Sequence, residues 1–433
     1  MYIKNIKLQN YRNYESLDLD LGRKTTVLIG KNGSGKTSLI EALKVDISIL
    51  FSSKQIRSNV FFDGLPFPLL KFRRTDVRYN FTPEGLVYNF PCSTHSVLSF
   101  NELSDNDAVL STVYGPDSIY KGKNDALSVW DYYFLREELP VFSGYSATYS
   151  RYARFADLRS KEILNQTNTL PRNYAYRRWD NELEMTPAWY ELYRIKWFNA
   201  RINGNVDDDQ YVSSINRCFI TFTEPLVNCA ENSDIVLEEI SMKPLAHKEL
   251  EMLFIFKNIP PMTFASLPDG YRRVFSIVFD IANRSYLLNK DCNPEGIVFI
   301  DEIDSHLHPS LAQEILDRFK RTFPRLQFIV TTHSPLVISN FKQDESDNLI
   351  YDIVRNGEGK PEARNVKYSY GLDYNSLLTD LMGTSIRNSL LEQLLQAYRY
   401  WDAARKDVFK QQILKQIVEL VGEDSKIVKE LKQ

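Results

Sequence analysis

Gly30-Lys31-Asn32-Gly33-Ser34-Gly35-Lys36-Thr37 satisfies the pattern G-x-x-x-x-G-K-[ST] at every fixed position. The apolar run Thr26-Val27-Leu28-Ile29 precedes it, and Ser38-Leu39-Ile40-Glu41-Ala42-Leu43 follows with helical character. A strand before the loop and a helix after it distinguish a phosphate cradle from a chance glycine-rich turn. Glycines let successive N–H groups turn inward around a phosphate chain, and the helix adds the positive end of its dipole. In this reading Asn32, Gly33, Ser34, Gly35 and Ser38 belong to the cradle. Lys36 reaches the β- and γ-phosphates, and Thr37 offers a hydroxyl to Mg²⁺. The chain is expected to bind a nucleoside triphosphate.

Two distant stretches complete the expected site. Ile297-Val298-Phe299-Ile300 is a continuous apolar strand that ends in Asp301-Glu302. Buried beside the loop's own strand, it would bring Asp301 to the ion that Thr37 touches and Glu302 to an attacking water. Phe328-Ile329-Val330 is a second buried strand, followed by Thr331-Thr332-His333-Ser334. His333 at that strand end can point at a γ-phosphate. The pair His306 and His308 suggests a metal site, but their i, i+2 spacing with no third His or Cys nearby argues against zinc.

The 433 residues, 43% hydrophobic and 25% charged, describe a globular chain long enough for two or three domains. With 53 basic and 56 acidic residues there is no global attraction to nucleic acid, although a local basic patch is compatible with that balance. The four cysteines form no C-x-x-C pair, the first residues are too polar for a signal peptide, and no apolar run spans a membrane. A cytoplasmic protein without a membrane segment is expected.

Along the chain, residues 1–30 alternate as two strands leading into the loop strand. Residues 51–106 contain a hairpin around Thr82-Pro83-Glu84-Gly85, which predicts a small antiparallel β-subdomain. Residues 152–225 carry aromatics at helical spacing and are read as a helical insertion. Within it Arg172, Arg177 and Arg178 alternate with Tyr174, Tyr176 and Trp179. Such interleaving can form a stacking surface for nucleic acid, against the plainer reading of a loop packed on its neighbours. Near-continuous apolar strands alternating with helices after residue 235 predict a mostly parallel sheet covered on both faces. Residues 347–364 read as a hairpin and residues 376–432 as helices. The expected division is 1–150 (N-terminal lobe), 151–235 (insertion), 236–345 (C-terminal lobe) and 346–433 (helical partner-binding or oligomer region).

These stretches resemble the Walker A, Walker B and switch-histidine motifs of ABC-type ATPases. The opening Ile6-Lys7-Leu8-Gln9-Asn10-Tyr11-Arg12-Asn13-Tyr14 is similar to the start of the RecF and SMC branch. The resemblance implies an α/β ATPase head and ATP with Mg²⁺ as ligands. It also implies a homo-oligomer in which Ser266 and Gly270 close over the ATP of another subunit. The stretch Ser266-Leu267-Pro268-Asp269-Gly270-Tyr271-Arg272-Arg273 keeps those two residues. It lacks the family's second glycine and the acidic residue after it, which points to slow hydrolysis. No confident glutamine marks the Q-loop at residues 146–151, and His308 stands where the D-loop usually has Asp. The segments SLPDGYRR, DEIDSHLHP and YGLDYNSLLTDLMGTS resemble a narrower group, stand-alone ATPases of bacterial anti-phage defence. These are relatives of the OLD family without its Toprim nuclease, and the resemblance is nearest to the Septu group. It implies a partner nuclease of HNH type, with DNA reached through the complex.

Three functions compete at this point: a nucleotide-gated regulator of a nuclease, a RecF-like DNA-binding repair ATPase, and a nuclease in its own right. Beyond Asp301, Glu302 and the His306/His308 loop, the sequence shows no carboxylate or histidine cluster for the third. No sustained heptads separate residues 50 and 301, which excludes a long-armed clamp.

Overall fold

The structure is a computed structural model. It describes residues 1–52, 69–70, 72–100, 107–117, 124–134, 138–147, 163–165, 167–180, 185–226, 235–244, 250–344, 346–367, 369–372, 376–377, 379, 389–423 and 425–431. Met1–Gly371 form one compact unit and Leu372–Gln433 a second.

A six-stranded sheet organises the first unit, in the order β15-β14-β3-β13-β12-β8. Its members are β3 (Thr25–Ile29), β8 (Val141–Tyr145), β12 (Gly296–Ile300), β13 (Leu326–Thr331), β14 (Asn348–Arg355) and β15 (Pro361–Asn365). All pairings are parallel except β14 with β15. Strands β3, β8, β12 and β13 are buried at every position, as expected of parallel strands covered on both faces. Register aligns their carboxyl ends: Ile300 lies opposite both Val330 and Tyr145, and Leu28 lies opposite both Thr331 and Tyr351. The loops leaving β3, β8, β12 and β13 therefore share one edge, where open α/β sheets bind ligands.

Helix α1 (Lys36–Ser48) opens directly from the loop and packs on an antiparallel sheet of order β2-β1-β6-β7. Those strands are β1 (Tyr2–Tyr11), β2 (Tyr14–Asp20), β6 (Cys92–Ser99) and β7 (Ala108–Tyr114). The helix is buried on nearly every side, with Lys44, Asp46 and Ser48 among its buried residues. Its Asp46 is fully buried and accepts from the hydroxyls of Thr94 and Ser96 on β6. With no cation among those partners, burial pushes the Asp46 carboxyl up to about 7 from an ordinary 3.8. Between pH 4 and 7 the unfolded chain releases this proton while the folded chain holds it, so stability falls as pH rises, by roughly 4 kcal/mol. Asp46→Asn is expected to flatten that slope in urea unfolding followed at pH 5 and pH 8. Equal slopes for the two proteins would contradict the assignment.

The expected antiparallel β-region is present and shares strands with the N-terminus. The hairpin β4 (Tyr79–Thr82) and β5 (Gly85–Tyr88) forms as predicted, but β6 returns to pair with β1, joining this region to the N-terminal strands. Non-local pairing of that kind leaves no mark in local periodicity.

The insertion supplies helices α3 (Thr186–Asn203) and α4 (Val206–Thr223), which pack with α5 (Asp269–Asn289). Tyr174, Tyr176 and Trp179 are buried, so they offer no stacking surface. Phe51 and Phe142 pack on Tyr176 and Trp179. A buried pair, Asp280 with Arg284, ties α5 to the insertion. Arg284 donates to the carbonyls of Ala175 and Arg177, and Asp280 accepts from Tyr145 and Trp189.

The boundary expected at 345/346 also moves. Strands β14 and β15 complete the main sheet, and the second unit begins at Leu372. In that unit α8 (Ser389–Ala403), α9 (Asp407–Val421) and α10 (Lys426–Leu431) share a core of Leu391, Leu395, Tyr398, Ile417 and Val428. Much of the tail motif, residues 373–375, 378 and 380–385, lies outside the described residues. Among the described residues no helix is long and apolar enough to cross a membrane.

Candidate nucleotide site

The loop between β3 and α1 has the conformation its glycines allow. Gly30, Gly33 and Gly35 have φ of 139°, 74° and 119°. A Cβ on Gly30 would come within 2.4 Å of the Ile353 carbonyl oxygen, so β14 fixes that position as strictly as the turn does. Lys36 is buried and folds back over the loop, donating to the carbonyls of Gly30 (2.8 Å) and Lys31 (3.1 Å). Burial lowers its pKa, while Asp301, Glu302, Asp352 and Asp304 oppose that shift. Ser34 Oγ and the Tyr14 hydroxyl are buried beside it with no hydrogen-bond partner. Asn13 donates to the Ser34 carbonyl (3.3 Å).

The structure brings the distant carboxylates to this loop. Thr37 Oγ1 donates to Asp301 Oδ2 at 2.9 Å, although the two residues are 264 positions apart. Thr331 Oγ1 donates to the other Asp301 oxygen (2.5 Å) and accepts from the Glu302 N–H (2.7 Å). Glu302 has a φ of 48°, unusual outside glycine, which turns the chain sharply after β12. His333 Nε2 stands 4.0 Å from Glu302 Oε1. Burial and the Lys36 charge lower the His333 pKa, so its ring is neutral at pH 7. Thr332 donates to Asp304 and accepts from the Ser334 N–H (2.9 Å), which fixes the turn carrying the histidine.

A residue that sequence reasoning missed holds this edge together. Arg273, buried on α5, donates to the carbonyls of Glu302 (2.5 Å), Asp301 (2.8 Å) and Ser146 (3.2 Å). One guanidinium thus fixes the ends of β12 and β8 relative to the signature helix. Arg273→Met would strand three carbonyls, and a loss of about 2–4 kcal/mol is expected in urea unfolding. Arg273→Lys cannot span all three and is expected to recover only part. Stability equal to wild type in the Met variant would contradict this role.

The two signature residues part company. Ser266 is exposed at the end of a 3₁₀ turn, donating to the Thr263 carbonyl (3.0 Å). Gly270 is buried, and a Cβ there would meet the His306 carbonyl oxygen at 2.3 Å. Its smallness is explained within the chain, by close packing of α5 on the loop after Asp301-Glu302. His308 is the N-cap of α6 (Pro309–Thr322), with Nδ1 2.8 Å from Ser310 Oγ. The Q-loop position is described only as far as Ala147.

Strand β14 contributes two further groups absent from the sequence reading. Asp352 faces the Lys36 side of the loop, and Arg355 donates to the Gly33 carbonyl (3.0 Å). The run Leu349-Ile350-Tyr351 was the available signal that a sheet strand passes here.

The family described as "AAA domain, putative AbiEii toxin, Type IV TA system" matches residues 25–339. The "Retron Ec83 probable ATPase" of Escherichia coli is 26% identical over 409 residues, 82% of this chain and 72% of that protein. The "Septu protein PtuA" of Bacillus mycoides (strain KBAB4) is 47% identical over 70 residues, 16% of this chain and 10% of that protein. Among solved structures, an SMC head bound to the C-winged helix domain of ScpA aligns with a TM-score of 0.48 and 14% identity. It covers 85% of this chain and 98% of that one.

Proposed function

Because the chain belongs to the AAA-domain family that matches it from residue 25 to 339, we propose that it binds ATP with Mg²⁺ and hydrolyses it slowly. In this reading it is the cytoplasmic ATPase subunit of a bacterial anti-phage complex, and its nucleotide state regulates a partner nuclease. The observation that carries the proposal is the meeting of Thr37 with Asp301 at the mouth of the phosphate loop.

The residues fit the ligands. Asp301, Glu302, Asp304 and Asp352 surround a single buried ammonium, so a triphosphate needs a divalent cation to enter. Thr37 and Asp301 supply the hard oxygen donors such an ion takes. Bound Mg²⁺ would neutralise phosphate charge there. Lys36, released from the Gly30 and Lys31 carbonyls, would cradle the phosphates with the N–H groups of Asn32, Gly33, Ser34, Gly35, Thr37 and Ser38. Glu302 is the group to orient a water and take its proton. Neutral His333 can donate a hydrogen bond to a terminal phosphate. Ser266, and the helix start at Gly270, would close over the ATP of a second subunit.

ATP can bias an open-to-closed equilibrium only through its greater affinity for the closed form. Arg273 links that closure to the carboxylates, since it sits on the helix that begins at the signature. The helical unit from Leu372 is the proposed contact for neighbouring subunits or for the nuclease, of HNH type if the Septu likeness extends to partners. The long alignment with a retron ATPase supports the defence reading, and it makes a retron-linked complex an equal sister assignment.

The test is steady-state phosphate release by the purified chain together with incubation on phage DNA. Turnover below about 1 s⁻¹, at the slow end for enzymes, is expected, with no cutting. Efficient DNA cleavage by the chain alone would overturn the assignment.

A further inference from the structure

The hairpin β4–β5 carries a row of exposed rings. Register places Tyr79 opposite Tyr88 and Phe81 opposite Leu86, so strand alternation puts these four on one face. Asn80, Thr82 and Val87 take the other. The rings continue beyond the hairpin: Phe81 to Tyr79 is 5.7 Å between centroids, Tyr79 to Tyr88 6.0 Å, Tyr88 to Phe90 6.4 Å, and Phe90 to Tyr114 6.0 Å. Phe81 is 82% exposed and Tyr79 47%. The Arg74 guanidinium lies 4.4 Å above the Tyr88 ring. Arg73 and Arg74 are both exposed, and neither has a carboxylate partner among the described residues.

Solvent-exposed rings on a two-stranded ribbon are costly unless something covers them. We propose that this ribbon binds single-stranded nucleic acid, with bases stacked on Phe81, Tyr79 and Tyr88 and phosphates on Arg73 and Arg74. The Phe81–Tyr79 and Tyr79–Tyr88 contacts are edge-to-face, and the exposure of Phe81 and Tyr79 leaves ring surface open to a base. Stacking takes any base, and the exposed guanidiniums of Arg73 and Arg74 supply the charge complement that a protein's apolar patch would not need. A duplex hides its base faces, so the ribbon discriminates against it. The aromatic and arginine combination sought at residues 172–179 is thus found on a different, exposed element.

The test is fluorescence anisotropy of the full chain with dye-labelled oligo(dT) and oligo(rU) of about 16 nucleotides, the upper site size for such platforms. Phe81→Ala and Tyr79→Ala are each expected to weaken binding about tenfold. Arg74→Ala is expected to weaken it and to lower the salt dependence by about one charge. ATP affinity should stay unchanged in all three. Absence of binding by the wild type, equal binding of a duplex, or variants that bind like wild type would each overturn the proposal. So would variants that lose self-association in sedimentation while keeping oligonucleotide affinity, because the ribbon would then be a contact between copies.

Discussion

Glu302→Gln is expected to lower ATP turnover by about two to four orders of magnitude while leaving ATP binding intact. The substitution keeps the shape of the side chain and removes only its capacity to take a proton. The backbone at this position is held independently, by Thr331 on the N–H and Arg273 on the carbonyl, so the change should not disturb the turn. Among the described residues the side chain makes no hydrogen bond, and it faces His333 across 4.0 Å, leaving its oxygens available for a water. Phosphate release measured at saturating ATP gives the comparison. Retention of wild-type turnover would remove Glu302 from the proposed chemistry and leave its strained backbone unexplained.

Lys36→Ala is expected to weaken ATP binding about 10- to 100-fold, the worth of one or two charge-assisted hydrogen bonds. The ammonium is already inside the cradle, held by two loop carbonyls, and the neighbouring carboxylates oppose the lowering of its pKa by burial. Its loss leaves a net-negative pocket facing a triphosphate. Calorimetric titration with a slowly hydrolysed analogue, beside thermal unfolding to show that the variant folds, provides the measurement. Unchanged affinity would place the nucleotide elsewhere.

The site was largely legible because its parts are local. A strand, a glycine loop and a helix adjoin in sequence at residues 25–48, and β12 announces its carboxylates by ending in them. Helix α6 is legible over its full extent because Pro309 starts it and an amphipathic pattern runs to Thr322. What escaped is non-local. Strand β14 reads as half of a hairpin because Asn356-Gly357-Glu358-Gly359 dominates its surroundings, whereas its parallel pairing with β3 has no sequence signature. Arg273 resembles a surface residue on an amphipathic helix until the carbonyls that bury it are known. Tyr174, Tyr176 and Trp179 follow the plainer reading of their segment, since all three pack in the core.

A cavity of about 590 Å³, lined by Lys196, Asn199, Tyr211, Asn283 and Lys290 among others, lies on the insertion helices and α5 rather than at the phosphate loop. Volume alone would send a nucleotide there, and the chemistry of the lining would not. The most direct measurement is therefore a structure of the chain with a non-hydrolysable ATP analogue and Mg²⁺. The account predicts phosphates against Lys36 and the loop N–H groups, with the metal between Thr37 and Asp301. An analogue bound in the insertion cavity, or a metal that leaves Asp301 untouched, would contradict it.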